Sequence, residues 1–419
     1  MTKLSSSTGS SKMTQMPPCV VLGIESQVGL GIIRELGRTG VKVIGIALTP
    51  RAIGLSSRYL WRRYILPDGL DEKALNLISG LGEELGGIVL LTVSEPSIAW
   101  LHRHKLRLGK VRPVVPPAQA FDTVLNKKRI LGLAQKLGIS VPTTIEPTSI
   151  ESFSPLMVNL KFPVVLKWSD PIKVMPILRQ NKIELAKCEY ALNPKELLAI
   201  LQRYNPVGVF PLVQEYCPGR GLGQFFFMYK GEAIRRFQHL RVAEWPPEGG
   251  FSAVCEAVPL SHHRALQQKS IDLLKAIDWE GVAMVEYRYD GITDTAVLME
   301  INGRFWGSFP LAVQCRAGFA LLSYNLAGCG RTPSLESVRE DQRCRMLATE
   351  VKRIHRILWR DFRSRKTSLV VCLAEIKRFV TDFFKPNVGY YVWSLDDPRP
   401  FFADVLTVIS GVLRKMVNW

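Results

Sequence analysis

Absences bound this chain before anything it contains does. Its eight cysteines (Cys19, Cys188, Cys217, Cys255, Cys315, Cys329, Cys344, Cys372) form no C-x-x-C pair. Its six histidines (His102, His104, His239, His262, His263, His355) show no ligand spacing, so structural zinc is not expected. Most of the cysteines sit among apolar neighbours, as buried reduced thiols do, and this favours the cytoplasm. No stretch approaches the roughly 18 consecutive apolar residues of a spanning helix. The opening stretch Met1–Pro18 lacks the apolar core of a secretory leader and reads as a disordered tail. Gly23, Gly29 and Gly31 miss the G-x-G-x-x-G spacing, and no acidic residue ends the second strand to hold a ribose. A nicotinamide site is thereby excluded, and these glycines serve a tight strand-to-helix turn.

What is present is a chain of 419 residues, enough for two to three domains, with a formal net charge of +18. Such charge invites nucleic acid. The sequence nevertheless has no helix-turn-helix spacing, zinc-finger ligands or RNP-like strand, and an enzyme that handles phosphates also gathers cations. No nucleic-acid partner is expected, although charge by itself leaves that class open.

The order strand (Cys19 to Gly23), glycine turn, helix (through Ile32, Ile33 and Leu36) and strand (Val41 to Ile46) is a βαβ unit, and Gly87 to Thr92 supplies a further buried strand. A Rossmann-like parallel sheet over 19–115 follows. It ends at the proline-rich linker Arg112 to Pro117. One helix is expected from Ala118 through Asn126 and Lys127 to a stop at Gly138. Beyond it, Phe162 to Lys167 and Leu212 to Cys217 read as strands. Gly223 to Met228 and Glu232 to Leu240 read as a hairpin, and His263 to Ile277 as a helix. Val282 to Tyr289 and Ala296 to Ile301 read as two closing strands.

Those last two strands carry the chemistry. Glu300 and Asn302 lie two apart and share a strand face, and a hairpin sets Glu286 beside Glu300. Two carboxylates and an amide oxygen form a hard-oxygen site suited to Mg²⁺. Like charges on neighbouring strands cost stability unless a cation neutralises them, which favours a metal over a merely solvated pair.

The run Val285-Glu286-Tyr287, followed by Leu298-Met299-Glu300-Ile301-Asn302-Gly303-Arg304, resembles the metal-binding end of the ATP-grasp superfamily. It is closest to the carboxylate-amine ligase branch akin to carbamoyl-phosphate synthase and biotin carboxylase. The resemblance spans about Val20 to Gly330. It implies an α/β and α+β architecture: a pre-ATP-grasp Rossmann-like domain, an ATP-grasp domain over 116–340 and a helical C-terminal extension over 341–419. Within the ATP-grasp domain it implies a lid at about 150–215 and a metal-bearing part at about 216–340. The implied activity spends ATP to activate a carboxylate as an acyl phosphate, which then meets an amine. Carried over residue by residue, Glu286, Glu300 and Asn302 would bind Mg²⁺, with Mn²⁺ the other candidate. Arg304 would hold phosphate or acyl phosphate. Lys127 and Lys167 match the nucleotide lysines, and Gln214, Glu215, Tyr216 and Cys217 match the adenine hinge. Arg241, together with Glu248 to Ser252, matches the substrate side, with Arg241 an anion clamp.

The chain departs from that pattern in three ways. Trp168 to Lys173 replaces the glycine-rich phosphate loop, leaving Lys173 or Lys182 as lid candidates. The acidic ribose residue is replaced by Leu222-Gly223-Gln224, with Gln224 the substitute. The extra domains of carbamoyl-phosphate synthase are missing. Outside the motifs, 351–419 mixes Lys352, Arg353, Arg356, Arg360, Arg363, Arg365 and Lys366 with Trp359, Phe362, Phe379, Phe383, Phe384 and Trp419. Such a basic amphipathic segment suits either peripheral contact with an anionic membrane or packing on the catalytic domain. Two rival functions stay open at this stage, a non-catalytic ATP-binding sensor and a basic nucleic-acid-binding protein.

Overall fold

The computed structural model describes residues 16–186, 188–247, 249–362 and 367–417. The first part of the expected tail, Glu248, Arg363, Arg365, Lys366 and Trp419 lie outside the described residues, as does the side chain of Arg360.

Three sheets organise the described residues. The first is parallel, in the order β3-β2-β1-β4-β5, from β1 (Cys19–Leu22), β2 (Val43–Ala47), β3 (Leu60–Ile65), β4 (Ile88–Thr92) and β5 (Val111–Pro113). β1, β2 and β4 are buried along their whole length, so their continuous apolar runs are those of a sheet covered on both faces. α1 (Gln27–Arg38) is started by Ser26, whose hydroxyl accepts from the Val28 amide at 3.3 Å. α2 (Glu72–Glu84) and α3 (Glu95–His104) complete the unit, capped by Asp71 and Ser94.

The expected single helix from Ala118 to Gly138 is two helices, α4 (Ala118–Leu125) and α5 (Lys127–Lys136). Asn126 leaves the helical region at φ −90°, ψ 97°, and its side chain accepts from the Arg129 amide at 3.0 Å. The asparagine thus competes as a cap with the helix it interrupts, which period alone does not reveal. The break sets Lys127 at a helix start.

A small antiparallel sheet, β6-β9-β7-β8, comprises β6 (Thr144–Ile145), β7 (Val164–Lys167), β8 (Glu189–Ala191) and β9 (Leu212–Glu215). The large sheet runs β14-β13-β10-β11-β12-β15-β16. Its strands are β10 (Arg220–Tyr229), β11 (Glu232–Trp245), β12 (Phe251–Ala257), β13 (Gly281–Asp290), β14 (Thr295–Asn302), β15 (Arg343–Arg345) and β16 (Val388–Tyr390). One core joins α1 to the large sheet through Phe225, Trp306 and Phe309. A second, with Leu222, Phe226, Tyr287 and Leu298, lies under the helix Arg264–Lys275.

The C-terminal extension is not purely helical, because β15 and β16 lengthen the large sheet. It is also tied to the first domain. Asp397 is fully buried, pairs with Arg34 at 3.0 Å and accepts from the Ser57 hydroxyl at 2.7 Å.

Candidate functional site

Between the small sheet and the large one lies a cleft of about 370 Å³. Its lining includes Lys127, Lys167, Gln214, Glu215, Tyr216, Cys217, Arg241, Glu286, Glu300, Asn302 and Arg304, so the structure brings these eleven candidates together.

The acidic floor is built by cross-strand register. Glu286 of β13 pairs directly with Glu300 of β14, and Met284 with Asn302. The next pair is Tyr287 with Leu298, so Met299 is an extra, bulged residue. The bulge turns Leu298 into the core behind the sheet while Met299, Glu300 and Asn302 line the cleft. The Asn302 amide donates to Glu300 Oε1 at 3.3 Å. Among the described residues no three His, Cys, Asp or Glu side chains gather to hold a metal, so this donor set is two carboxylates and an amide.

Cations neutralise the floor from two sides. Lys127 Nζ lies 3.7 Å from Glu300 Oε2, and the Lys127 amide donates to Ser169 O at 3.2 Å, anchoring α5 against the segment after β7. Arg241 of β11 pairs with Glu286 at 2.6 Å, lies 3.7 Å from Glu244 and donates to Gly250 O at 2.7 Å. Gly221 makes room for it, since a Cβ there would sit 2.5 Å from Arg241 Cδ and 2.8 Å from Glu244 Oε1. Burial pulls the Arg241 pKa down, but Glu286 and Glu244 more than offset this and the net shift is upward. The expected anion clamp therefore has both terminal nitrogens committed to protein acceptors. Its Nε is buried without a partner. Beside it His239 is fully buried with neither ring nitrogen partnered, and burial and then Arg241 push its pKa well down.

At the hinge, the Glu215 amide is already given to Thr143 O at 2.9 Å, and Gln214 Nε2 donates to Thr144 Oγ1 at 3.0 Å. Gly219 then turns the chain at φ +97°. Burial, and then Glu215, raise the Cys217 pKa.

Two expectations from the departures fail. Gln224 is fully buried on the opposite face of the sheet, where its Oε1 accepts from Ser270 at 2.7 Å, so it cannot reach a ribose in the cleft. Gly223, not Gln224, shares the cleft face with Glu286. Lys173 and Lys182 do not line the cleft; Lys173 is exposed and lies 3.5 Å from Asp170. In place of a glycine-rich loop stands the helix Pro171–Gln180, capped by Asp170.

Strand spacing puts Arg288 on the face of Glu286 without giving it a role, and no sequence signal singles out Tyr190 or Glu95, although all of these line the cleft. Arg288, two positions beyond Glu286 on the same face, is held by Glu244 at 2.8 Å and donates to Gly219 O. Tyr190 comes from β8, which was too short to read. Glu95, at the start of α3, lies 3.3 Å from Arg304. Period-two spacing from Glu286 is the signal that finds Arg288.

No protein-family model and no curated protein sequence matches the chain. Solved structures do resemble it. One is the biotin carboxylase domain of Hydrogenobacter thermophilus 2-oxoglutarate carboxylase in complex with MgADP, ADP and bicarbonate, at 14% identity and a TM-score of 0.61, over 78% of this chain and 74% of that one. Another is N5-carboxyaminoimidazole ribonucleotide synthetase from Thermus thermophilus, at 15% identity and 0.57, over 78% and 81%. A third is an L-amino acid ligase from Bacillus licheniformis, at 16% identity and 0.54, over 75% of each chain. At such identities the likeness is one of architecture, and in architecture this chain has the ATP-grasp fold.

Proposed function

We propose that the chain is an ATP-dependent ligase that activates a carboxylate as an acyl phosphate and joins it to an amine. The observation that carries this reading is the directly opposed pair Glu286 and Glu300, with Asn302 beside them, at the floor of a cleft whose other walls supply Lys127, Lys167 and Arg304. A pair of carboxylates held face to face in a cleft fits a hard divalent cation. Glu286, Glu300 and Asn302 would hold Mg²⁺, which neutralises the terminal phosphates of the nucleotide. Lys127, at the start of α5, and Lys167, at the end of β7, offset phosphate charge. Gln214, Glu215, Tyr216 and Cys217 would receive the adenine. Arg304 holds the acyl phosphate. The protein needs no covalent nucleophile, because positioning and charge stabilisation lower the barrier to phosphoryl and acyl transfer.

The test is a screen of carboxylates and amines, amino acids first, for ADP release that depends on both. Glu300→Ala is expected to abolish that release; survival of ADP release in the variant would refute the metal assignment. ATP binding without ADP release for any pair would leave a nucleotide-binding sensor of the same fold.

The C-terminal extension is, in the same reading, a peripheral membrane contact. The helix Leu369–Thr381 leaves Leu369, Val370 and Leu373 more than half exposed, and Phe384 just beyond it is 83% exposed. No described helix is long and apolar enough to cross a membrane, so contact is with the surface. Lys377 and the basic run Arg363 to Lys366 in the sequence complement an anionic headgroup layer. The full chain is expected to float with phosphatidylserine vesicles and not with phosphatidylcholine ones; absence from both, or equal recovery with both, would sink the assignment.

A further inference from the structure

The strand order of the first sheet reverses between β1 and β4, and parallel sheets take ligands at the carboxyl ends of such strands. Two segments leave that edge, Ser26-Gln27 into α1 and Ser94-Glu95 into α3. Both reach the stretch that follows β14. Gln27 Nε2 donates to Gly307 O at 3.1 Å, and Glu95 Oε1 lies 3.3 Å from Arg304 Nε. The first domain thus abuts the nucleotide cleft at Arg304. Arg304 continues the contact inward, donating to Asn302 Oδ1 at 3.2 Å and to Phe305 O at 2.9 Å.

Glu95 is 30% exposed at its side chain and lines the cleft. The described acidic residues of that lining are Glu95, Glu215, Glu286 and Glu300. Glu286 and Glu300 belong to the metal floor, and Glu215 belongs to the hinge. The residues after Arg304, Phe305-Trp306-Gly307-Ser308, offer no group able to take a proton near neutral pH. The ligase reading requires a neutral acceptor amine, because an amine protonated at neutral pH has no lone pair with which to attack, and Glu95 is the described lining carboxylate that neither the floor nor the hinge uses.

We propose that Glu95 is the acceptor-site residue: it binds the ammonium group of a primary amine opposite Arg304 and takes its first proton. The inference rests on the ligase reading and names the group that serves its second half. Arg304 is the cation that now faces Glu95. When acyl phosphate engages Arg304, Glu95 is left beside an anion in a partly desolvated cleft, which favours the entry of a second cation. The ammonium is that cation, so the amine binds after the acyl phosphate forms. One ammonium proton passes to Glu95, and the freed lone pair forms the C–N bond at the acyl carbon. The C–O bond to phosphate breaks, and its electron pair leaves with the phosphate. The second nitrogen proton goes to solvent.

The two halves are separated by choice of nucleophile. Hydroxylamine is largely uncharged at neutral pH and traps acyl phosphate as a hydroxamate; ammonium, ethylamine, L-alanine and L-lysine are the cationic probes, offered with the carboxylate that gives the most ADP. In Glu95→Gln the rate with the best cationic amine is expected to fall at least about tenfold more than hydroxamate formation, since general base catalysis is worth about a hundredfold or more. Glu95→Asp is expected to recover part of that loss. Equal loss with both kinds of nucleophile would show that Glu95 only supports Arg304, and no loss with either would remove it from the site; each outcome overturns the inference. Failure of the unmodified chain to form hydroxamate with any carboxylate would refute the ligase reading itself, a result distinct from either.

Discussion

Replacing Arg241 with Met separates the charge logic of the cleft from its packing. The guanidinium is 8% exposed as a residue and ties Glu286 at 2.6 Å to Gly250 O at 2.7 Å. Methionine keeps most of the aliphatic volume but leaves Glu286 buried without its cation. Breaking such a pair from one side costs about 3–5 kcal/mol. If Glu286 and Glu300 hold a divalent metal, as proposed, the metal would restore a counter-charge to the same oxygens, and in the variant it would do so without first competing with Arg241. Binding at a hundredfold excess over Kd stabilises by about 2.7 kcal/mol, and a site freed of a competing cation reaches that excess at a lower metal concentration. Urea denaturation with and without Mg²⁺-ADP reads both effects. The variant is expected to unfold at lower urea than the unmodified chain without metal, and the gap is expected to narrow by about 1–2 kcal/mol once Mg²⁺-ADP is added. A gap that stays the same with Mg²⁺-ADP would show that the metal does not share oxygens with Arg241, and the reasoning about the acidic floor would fail.

Burial raises the Glu35 carboxyl to about 7, against the opposing amides of Leu321 and Ala320 and the charges of Arg38 and Arg235. Its folded pKa lies above the unfolded value, so the stability linked to this group is present below about 4.5 and is lost as pH rises through about 7. The unmodified chain is expected to lose on the order of 3 kcal/mol relative to Glu35→Gln between pH 5 and pH 8, read by denaturant midpoints; parallel profiles would refute it. Gly219→Ala is expected to cost at least about 2 kcal/mol and to weaken ATP binding, because the new Cβ meets Tyr289 O at 2.3 Å with φ at +97°. Unchanged stability and affinity would show that the turn after the hinge yields freely.

The legible parts of the molecule were those encoded by local period and by a motif that spans two paired strands. Glu300 and Asn302 share a face whatever surrounds them, and the paired run with Glu286 fixes their neighbour. The Met299 bulge was not legible, because it depends on how β14 registers against β13, and a single residue slip reverses faces. Gln224 shows the same limit: it stands where a ribose partner was sought, yet the pairing of Gly223 with Glu286 turns it to the back. Asn126 hid a helix break behind a regular apolar pattern. β15 and β16 are three residues each and join a sheet whose other strands lie far away in sequence, so no local signal announces them.

The same register also explains why an acidic floor can exist before any metal arrives. Opposed carboxylates on neighbouring strands repel, and the chain answers with one cation from each side, Lys127 from the start of a helix and Arg241 from β11. Each depends on a local irregularity. Asn126 breaks a helix so that Lys127 begins one, and Gly221 removes a side chain so that Arg241 can lie over its strand. The two residues that look most like departures from regular structure are therefore those that make the floor tolerable. Were Glu286 and Glu300 to hold a divalent cation, as proposed, Arg241 and Lys127 would no longer be needed to balance them, and their positive charge would be available to phosphate.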